Sequence, residues 1–147
     1  MLPELLTCIV IAIADSDTLT ARCDTADGRA NVTVRLAEID APERAQAFGN
    51  RSKQHLAELC FQNFAMVTPR TTDRYGRTVA RVECDGIDAN VEQVRAGMAW
   101  AFTKYLTDPA IKVLEDQAHE ARLGLWRDAE PVAPWEWRHR RGRQPSR

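Results

Sequence analysis

The sequence predicts a small α+β domain in which five antiparallel strands close as a Greek-key barrel, accompanied by three helices. Three observations carry that prediction. The first quarter of the chain holds three strand-like segments joined by tight turns, which makes a meander. The apolar pattern then turns helical from about residue 45, returns to strand character between about 64 and 84, and is helical again up to about 125. At 147 residues, with 44% hydrophobic and 28% charged residues, the chain is long enough for one real core. Strands and helices in this order make a segregated α+β arrangement.

Residues 6–14 (Leu-Thr-Cys-Ile-Val-Ile-Ala-Ile-Ala) are rich in β-branched residues and read as the first strand. Asp15-Ser-Asp17 is a turn, and the alternation from Thr18 to Cys23 is the returning strand. Asp27-Gly28 is a hairpin turn signal, and Asn31 to Ile39 is the third strand. From about Ala45 to Phe61 no proline intervenes, and Phe48, Leu56, Leu59 and Cys60 approximate helical spacing, with Gly49 weakening the start. Strands are expected again at 64–68 and 78–84. Asp88 caps a helix at 89–96 that Gly97 ends. Asp108 and Pro109 open the clearest helix, with Ile111, Leu114, Ala118, Ala121 and Leu125 along one face and Gly124 near its end. Pro131 to Trp137 reads as irregular, with Trp135 and Trp137 covering an apolar patch. The domain is expected to span 1–137, and the basic tail 138–147, with five arginines and no acid, to be flexible; a phosphate-binding arm is the sharper reading of that tail.

The net charge of −1 gives no global attraction to nucleic acid. No stretch approaches the roughly 18 apolar residues of a membrane span, and Leu5 to Ala14 reads as a strand and not a signal peptide. Cys8, Cys23, Cys60 and Cys84 form no CxxC pair, which argues against structural zinc. They are either buried thiols or disulfides. With Ser16 near a hairpin tip, Cys8 falls opposite Cys23, which leaves Cys60 for Cys84. Two bridges point to a secreted or periplasmic location.

Three polar clusters could carry chemistry. Asp15-Ser-Asp17-Thr18 is also ordinary turn chemistry. Arg35-Leu-Ala-Glu-Ile-Asp40-Ala-Pro-Glu43 puts one guanidinium and three carboxylates within nine residues, which is also what a solvated loop can look like. Thr72-Asp-Arg-Tyr-Gly-Arg77 is also a hairpin turn with Gly76 at positive φ. Together they are more specific. Carboxylates from two separate turns give oxygen ligands suited to Ca²⁺ or Mg²⁺. Two arginines from different strands can clamp a phosphate, and a further carboxylate can activate water. These are the parts of a metal-assisted phosphodiesterase. The histidines, His55, His119 and His139, are paired with no nucleophile.

These motifs resemble the staphylococcal nuclease (thermonuclease) family. The resemblance rests on Asp15-x-Asp17-Thr18, Arg35-Leu-x-x-Ile-Asp40-x-Pro-Glu43 and Asp73-Arg-Tyr-Gly-Arg77. Val91…Val94-Arg95-x-Gly97-x-Ala99 and Gly124-Leu-Trp126 also match, so the likeness covers about residues 6–127. Pro134-Trp-Glu-Trp137 is similar to a bacterial branch of the family. The resemblance implies an OB-fold barrel with three helices that binds Ca²⁺ and hydrolyses DNA and RNA, leaving 3′-phosphate ends. It implies Asp17, Asp40 and the carbonyl of Ala41 as metal ligands, Glu43 as general base or water-orienting group, and Arg35 and Arg77 on the scissile phosphate. Tyr75 would help hold a nucleotide phosphate, and Tyr105 is the aromatic expected to stack on a base. Single-stranded nucleic acid is the expected preference and a monomer the expected state. The chain departs from the family's pattern in having Ser16 where glycine is usual, in a shorter connection after Glu43 without a lysine-rich loop, and in Thr103 where a tyrosine is usual. The rival readings are a catalytically silent OB-type binding module and a structural domain whose acids bind calcium only for stability.

Overall fold

Alternation decides the strands. In β1 (Leu6–Asp15), Cys8 and Val10 point into the core while Ile9 and Ile11 stay exposed. β2 (Thr18–Thr25) buries Leu19, Ala21 and Cys23, and β3 (Gly28–Leu36) buries Val34 and Leu36. These strands pair antiparallel in sequence, as expected. β4 (Ile39–Asp40) is a two-residue piece, and β5 (Phe64–Thr72) and β6 (Thr78–Cys84) form a second hairpin. β5 also pairs antiparallel with β1, from Leu6↔Val67 to Ile9↔Phe64. β3 closes the ring against β6 through Val34↔Thr78, Arg35↔Val79 and Leu36↔Ala80, and this pairing is parallel. The expectation of five antiparallel strands is corrected on that point: an odd number of strands cannot alternate direction all the way round a closed ring. The barrel is therefore mixed, with one parallel contact. The computed structural model describes residues 4–143.

Short β7 (Ile87–Asp88) folds back antiparallel on the end of β6, and β8 (Trp100–Ala101) pairs with β4. The barrel interior is lined by Val10, Leu19, Val34, Leu36, Val67, Ala80 and Val82, all buried. Helices α1 (Gly49–Cys60), α2 (Ala89–Arg95) and α3 (Pro109–Glu120) add Leu56, Val94 and Ile111 to the same core. Each such aliphatic side chain is worth about 1.5–3 kcal/mol when removed from water. Cys8 is bonded to Cys23 across β1 and β2, and Cys60 to Cys84, tying the end of α1 to the end of β6.

Two caps behave as the sequence dictates. Asp88 accepts from the Val91 amide and Asp108 from the Ala110 amide, each satisfying an otherwise unpaired helix N–H. Helix α1 starts later than Ala45, because residues 44–48 form turns that end at Phe48, whose φ is 68°. Gly49 is there for space: a Cβ on it would lie 2.1 Å from the Glu43 carbonyl oxygen. Helix α3 ends at Glu120, short of Gly124, since Arg122 turns left-handed at φ 53°.

The C-terminal expectation is corrected. Residues 134–143 form a fourth helix, α4 (Pro134–Arg143), in place of irregular chain and a flexible tail, so the expected boundary at Trp137 falls inside a helix. Pro134 stands at its first position, where its missing N–H costs nothing. Trp135 stacks on Phe102 with ring centroids 5.4 Å apart and packs edge-on against Trp100 at 5.6 Å, which is the apolar patch it was expected to cover. Residues 144–147 of the expected tail lie outside the described residues.

Candidate active site

The turn between β1 and β2 presents Asp17 at one mouth of the barrel. Ser16 has no left-handed backbone, so this turn does not require glycine, and its buried hydroxyl donates to the Gly49 carbonyl at 3.0 Å. Arg35 is the penultimate residue of β3 and points outward from it. Its guanidinium is fixed by the carbonyls of Leu36 and Ile39. β4 delivers Asp40, whose partner across the pair is Trp100.

These elements converge. Arg35 Nη2 lies 3.4 Å from Asp17 Oδ2 and 3.4 Å from Asp40 Oδ1, so two carboxylates from different turns meet at one nitrogen. The Ala41 amide lies 3.3 Å from Asp17 Oδ2 and donates to it. Glu43 stands beside this group, about one-third exposed, and is joined to it by a residue the sequence reading had placed in the tail. Arg138 of α4 donates to both oxygens of Asp40, at 3.2 and 2.6 Å, and to Glu43 Oε1 at 2.8 Å. Gln46 ties the two sides together: its side-chain oxygen accepts from the Glu43 amide, and its nitrogen donates to the Val132 carbonyl just before α4.

Asp40 is wholly buried. Burial pushes its carboxyl above the usual carboxylate range and the charge of Asp17 pushes the same way, against Arg138 and Arg35. Arg138 is held protonated more firmly than an ordinary arginine: partial burial works against its charge, but the bonds to Asp40 and Glu43 outweigh that. The carboxylates thus need cations beside them, and at present guanidinium groups supply them.

The donor set fits a hard divalent cation. It consists of Asp17 and Asp40 oxygens facing one point, without sulfur or imidazole. Among the described residues no three Asp, Glu, His or Cys side chains gather closely enough to hold a metal by themselves, so carbonyl and water oxygens would have to complete the shell.

Other expected residues lie apart from this cluster. Arg77, just before β6, donates to Asp73 at 2.7 Å and is bonded to none of Asp17, Arg35, Asp40 or Glu43. Asp73 also accepts from the Tyr75 and Arg77 amides; these bonds hold its carboxyl low despite the opposing cost of burial. Tyr75 is 68% exposed with the guanidiniums of Arg74 and Arg77 over its ring. Tyr105 is exposed on a 3₁₀ turn at 103–105 and packs edge-on against Phe102. The third acid of the Arg35–Glu43 stretch, Glu38, is not at the site. It is buried with φ 69° and accepts from Thr107 and Asp108 while pairing with Arg81.

Arg138 was the miss. Its signal was readable: Pro134 can start a helix, and a residue three after Trp135 shares its face.

A mixed five-stranded barrel with four helices, carrying paired carboxylates and arginines at one mouth, defines an OB-like α+β fold with an ionic site. The chain belongs to the staphylococcal nuclease family: the family model described as "Staphylococcal nuclease homologue" matches residues 33–128. It is similar to a Haemophilus influenzae protein named "Uncharacterized endonuclease", at 44% identity over 90% of this chain and 72% of that one. An Escherichia coli O157:H7 protein of the same name is 41% identical over 90% of this chain and 84% of its own. A Shigella flexneri protein named "Micrococcal nuclease" is 41% identical over 88% of this chain and 78% of its own.

Proposed function

We propose that this nuclease is a calcium-dependent enzyme without sugar specificity, which hydrolyses phosphodiester bonds of DNA and RNA by attack of water. The observation that carries the reading is the convergence of Asp17 and Asp40 on Arg35 with Glu43 one guanidinium away. The carboxylates of Asp17 and Asp40 and the carbonyl of Ala41 would hold the cation. When bound, it supplies Lewis-acid polarisation of a phosphoryl oxygen.

The chain's own residues do the rest. Glu43 is exposed enough to meet solvent, and its carboxylate orients a water and takes its proton, a contribution of roughly 10²–10⁴-fold. Arg35 is preset by two backbone carbonyls and directs its remaining donors to the non-bridging phosphate oxygens, where charge builds as water adds. Arg77 approaches the phosphate from the start of β6, leaving Asp73 for it. Tyr75 lies along the nucleotide phosphate, and Tyr105 offers an exposed ring for base stacking, which favours single strands with splayed bases. Scission of the 5′ P–O bond leaves a 3′-phosphate. The two disulfides support an oxidising compartment, periplasmic or secreted, and a monomer is the working state. Among the described residues no helix is long and apolar enough to cross a membrane.

The test is cleavage of single-stranded DNA and of RNA in calcium, then in chelator, repeated with Glu43→Ser. Calcium-dependent cleavage that Glu43→Ser removes is the expected result. Cleavage that chelator leaves unchanged sinks the calcium dependence, and cleavage that survives in Glu43→Ser sinks the role of Glu43.

A further inference from the structure

Arg138 reaches the site from the opposite end of the sequence. Its helix is anchored where it matters: Trp135 rests on Trp100, and Trp100 is the strand partner of Asp40. One side of α4 is thereby fixed to the pair that delivers Asp40, and Arg138, almost one turn after Trp135, extends along that side. Its guanidinium takes both oxygens of Asp40 and one of Glu43, while Arg35 Nη2 also approaches Asp40 Oδ1. No oxygen of Asp40 is left free of a guanidinium.

A hard divalent cation binds carboxylate oxygens directly, at about 2.3–2.6 Å. At Asp40 Oδ2 it competes with a guanidinium nitrogen already 2.6 Å away: the oxygen's charge is divided between two cations that also repel each other across it. The Arg138 side chain is 41% exposed, so it can leave for solvent by changing rotamer without unfolding α4. We infer that Arg138 is a further functional residue of this site, one that sets its cation affinity by competing with the divalent ion for Asp40 and Glu43. This rests on the proposed calcium site. An arginine contact populated about nine-tenths of the time lowers the apparent affinity of the competing ion about tenfold.

The experiment is calorimetric titration of the full chain with calcium, without substrate, for the unmutated protein, Arg138→Gln, Arg141→Gln and Asp40→Asn. Arg141 lies over the Trp137 ring on the same helix, so Arg141→Gln removes the same charge from α4 without touching Asp40. The expected result is calcium binding that Asp40→Asn abolishes, about tenfold tighter in Arg138→Gln, and changed less than about twofold in Arg141→Gln. Should Arg138→Gln fail to fold, Arg138→Lys is titrated with the same direction expected, since one ammonium cannot span both oxygens. Binding lost in Asp40→Asn but no tighter in the Arg138 variant than in Arg141→Gln overturns the competition and leaves the calcium site standing. Absence of binding in every protein, or binding indifferent to Asp40→Asn, overturns both.

Discussion

Replacing Glu38 by glutamine tests whether this buried acid is structural. Its carboxylate is 1% exposed. Oε1 accepts from the Thr107 amide at 2.7 Å, the Thr107 hydroxyl at 2.8 Å and the Asp108 amide at 2.7 Å. Oε2 pairs with Arg81 at 3.0 Å and Arg70 at 3.2 Å. Burial alone would push this carboxyl up. The bonds from Thr107, Asp108 and Arg81 outweigh burial and lower it from 4.5 to about 2. A group depressed in the folded state contributes stability that is fully present above its unfolded value. That stability is lost as pH falls from about 4.5 to about 2. At about 1.4 kcal/mol per pKa unit, the contribution is about 3 kcal/mol at neutral pH. In Glu38→Gln the amide nitrogen would face Arg70 and Arg81, leaving donors against donors, so a loss of about 3–5 kcal/mol is expected at pH 7. Urea unfolding of both proteins at pH 7, 4 and 2.5 measures it. The gap between them should narrow as acid removes from the unmutated protein what the variant never had. A gap that stays constant across that range refutes the reasoning.

Glu43→Gln should cut the rate of DNA cleavage by about 10²–10⁴-fold while leaving the unfolding midpoint within a degree or two, read by a cleavage assay and a thermal scan. Gly49→Ala places a methyl 2.1 Å from the Glu43 carbonyl oxygen, so the 43–49 loop must move; cleavage should fall, with stability lowered by more than about 1 kcal/mol in urea. Replacing Cys60 and Cys84 together by alanine opens a 24-residue link and should cost about 3 kcal/mol in the same assay. Intact mass before and after reduction and alkylation checks the bridges themselves: four thiols that alkylate without reductant would contradict them.

The strands and three of the helices were legible because each is decided by neighbours in sequence. Val32, Val34 and Leu36 alternate, and Asp88 and Asp108 cap the helices that follow them. Half of the site was legible for the same reason. Arg35, Asp40 and Glu43 lie within nine residues, and a short strand followed by Pro42 leaves them little freedom to separate. Gly49 misled because composition shows a weak helix former, whereas its purpose is closeness to the Glu43 carbonyl, a backbone approach within the 43–49 loop that hydrophobic periodicity does not report. Glu38 misled in the opposite way. It looks like one more acid of the cluster, but its left-handed backbone turns it away toward Thr107 and Arg81.

By itself the sequence determined the order of the five barrel strands and the first three helices, the barrel class, the pairing of Cys8 with Cys23 as an option, and the acids and Arg35 of the ionic cluster. These follow from alternation, capping and turn chemistry, which act over a few residues. Tertiary structure alone decided the parallel closure of β3 on β6, the burial of Glu38, the contact of Asp17 with Asp40 through Arg35, and the arrival of Arg138. Each depends on segments far apart in the chain meeting in space. For Arg138 the separation from Asp40 is 98 residues, and what bridges it is the packing of Trp135 on Phe102 and Trp100.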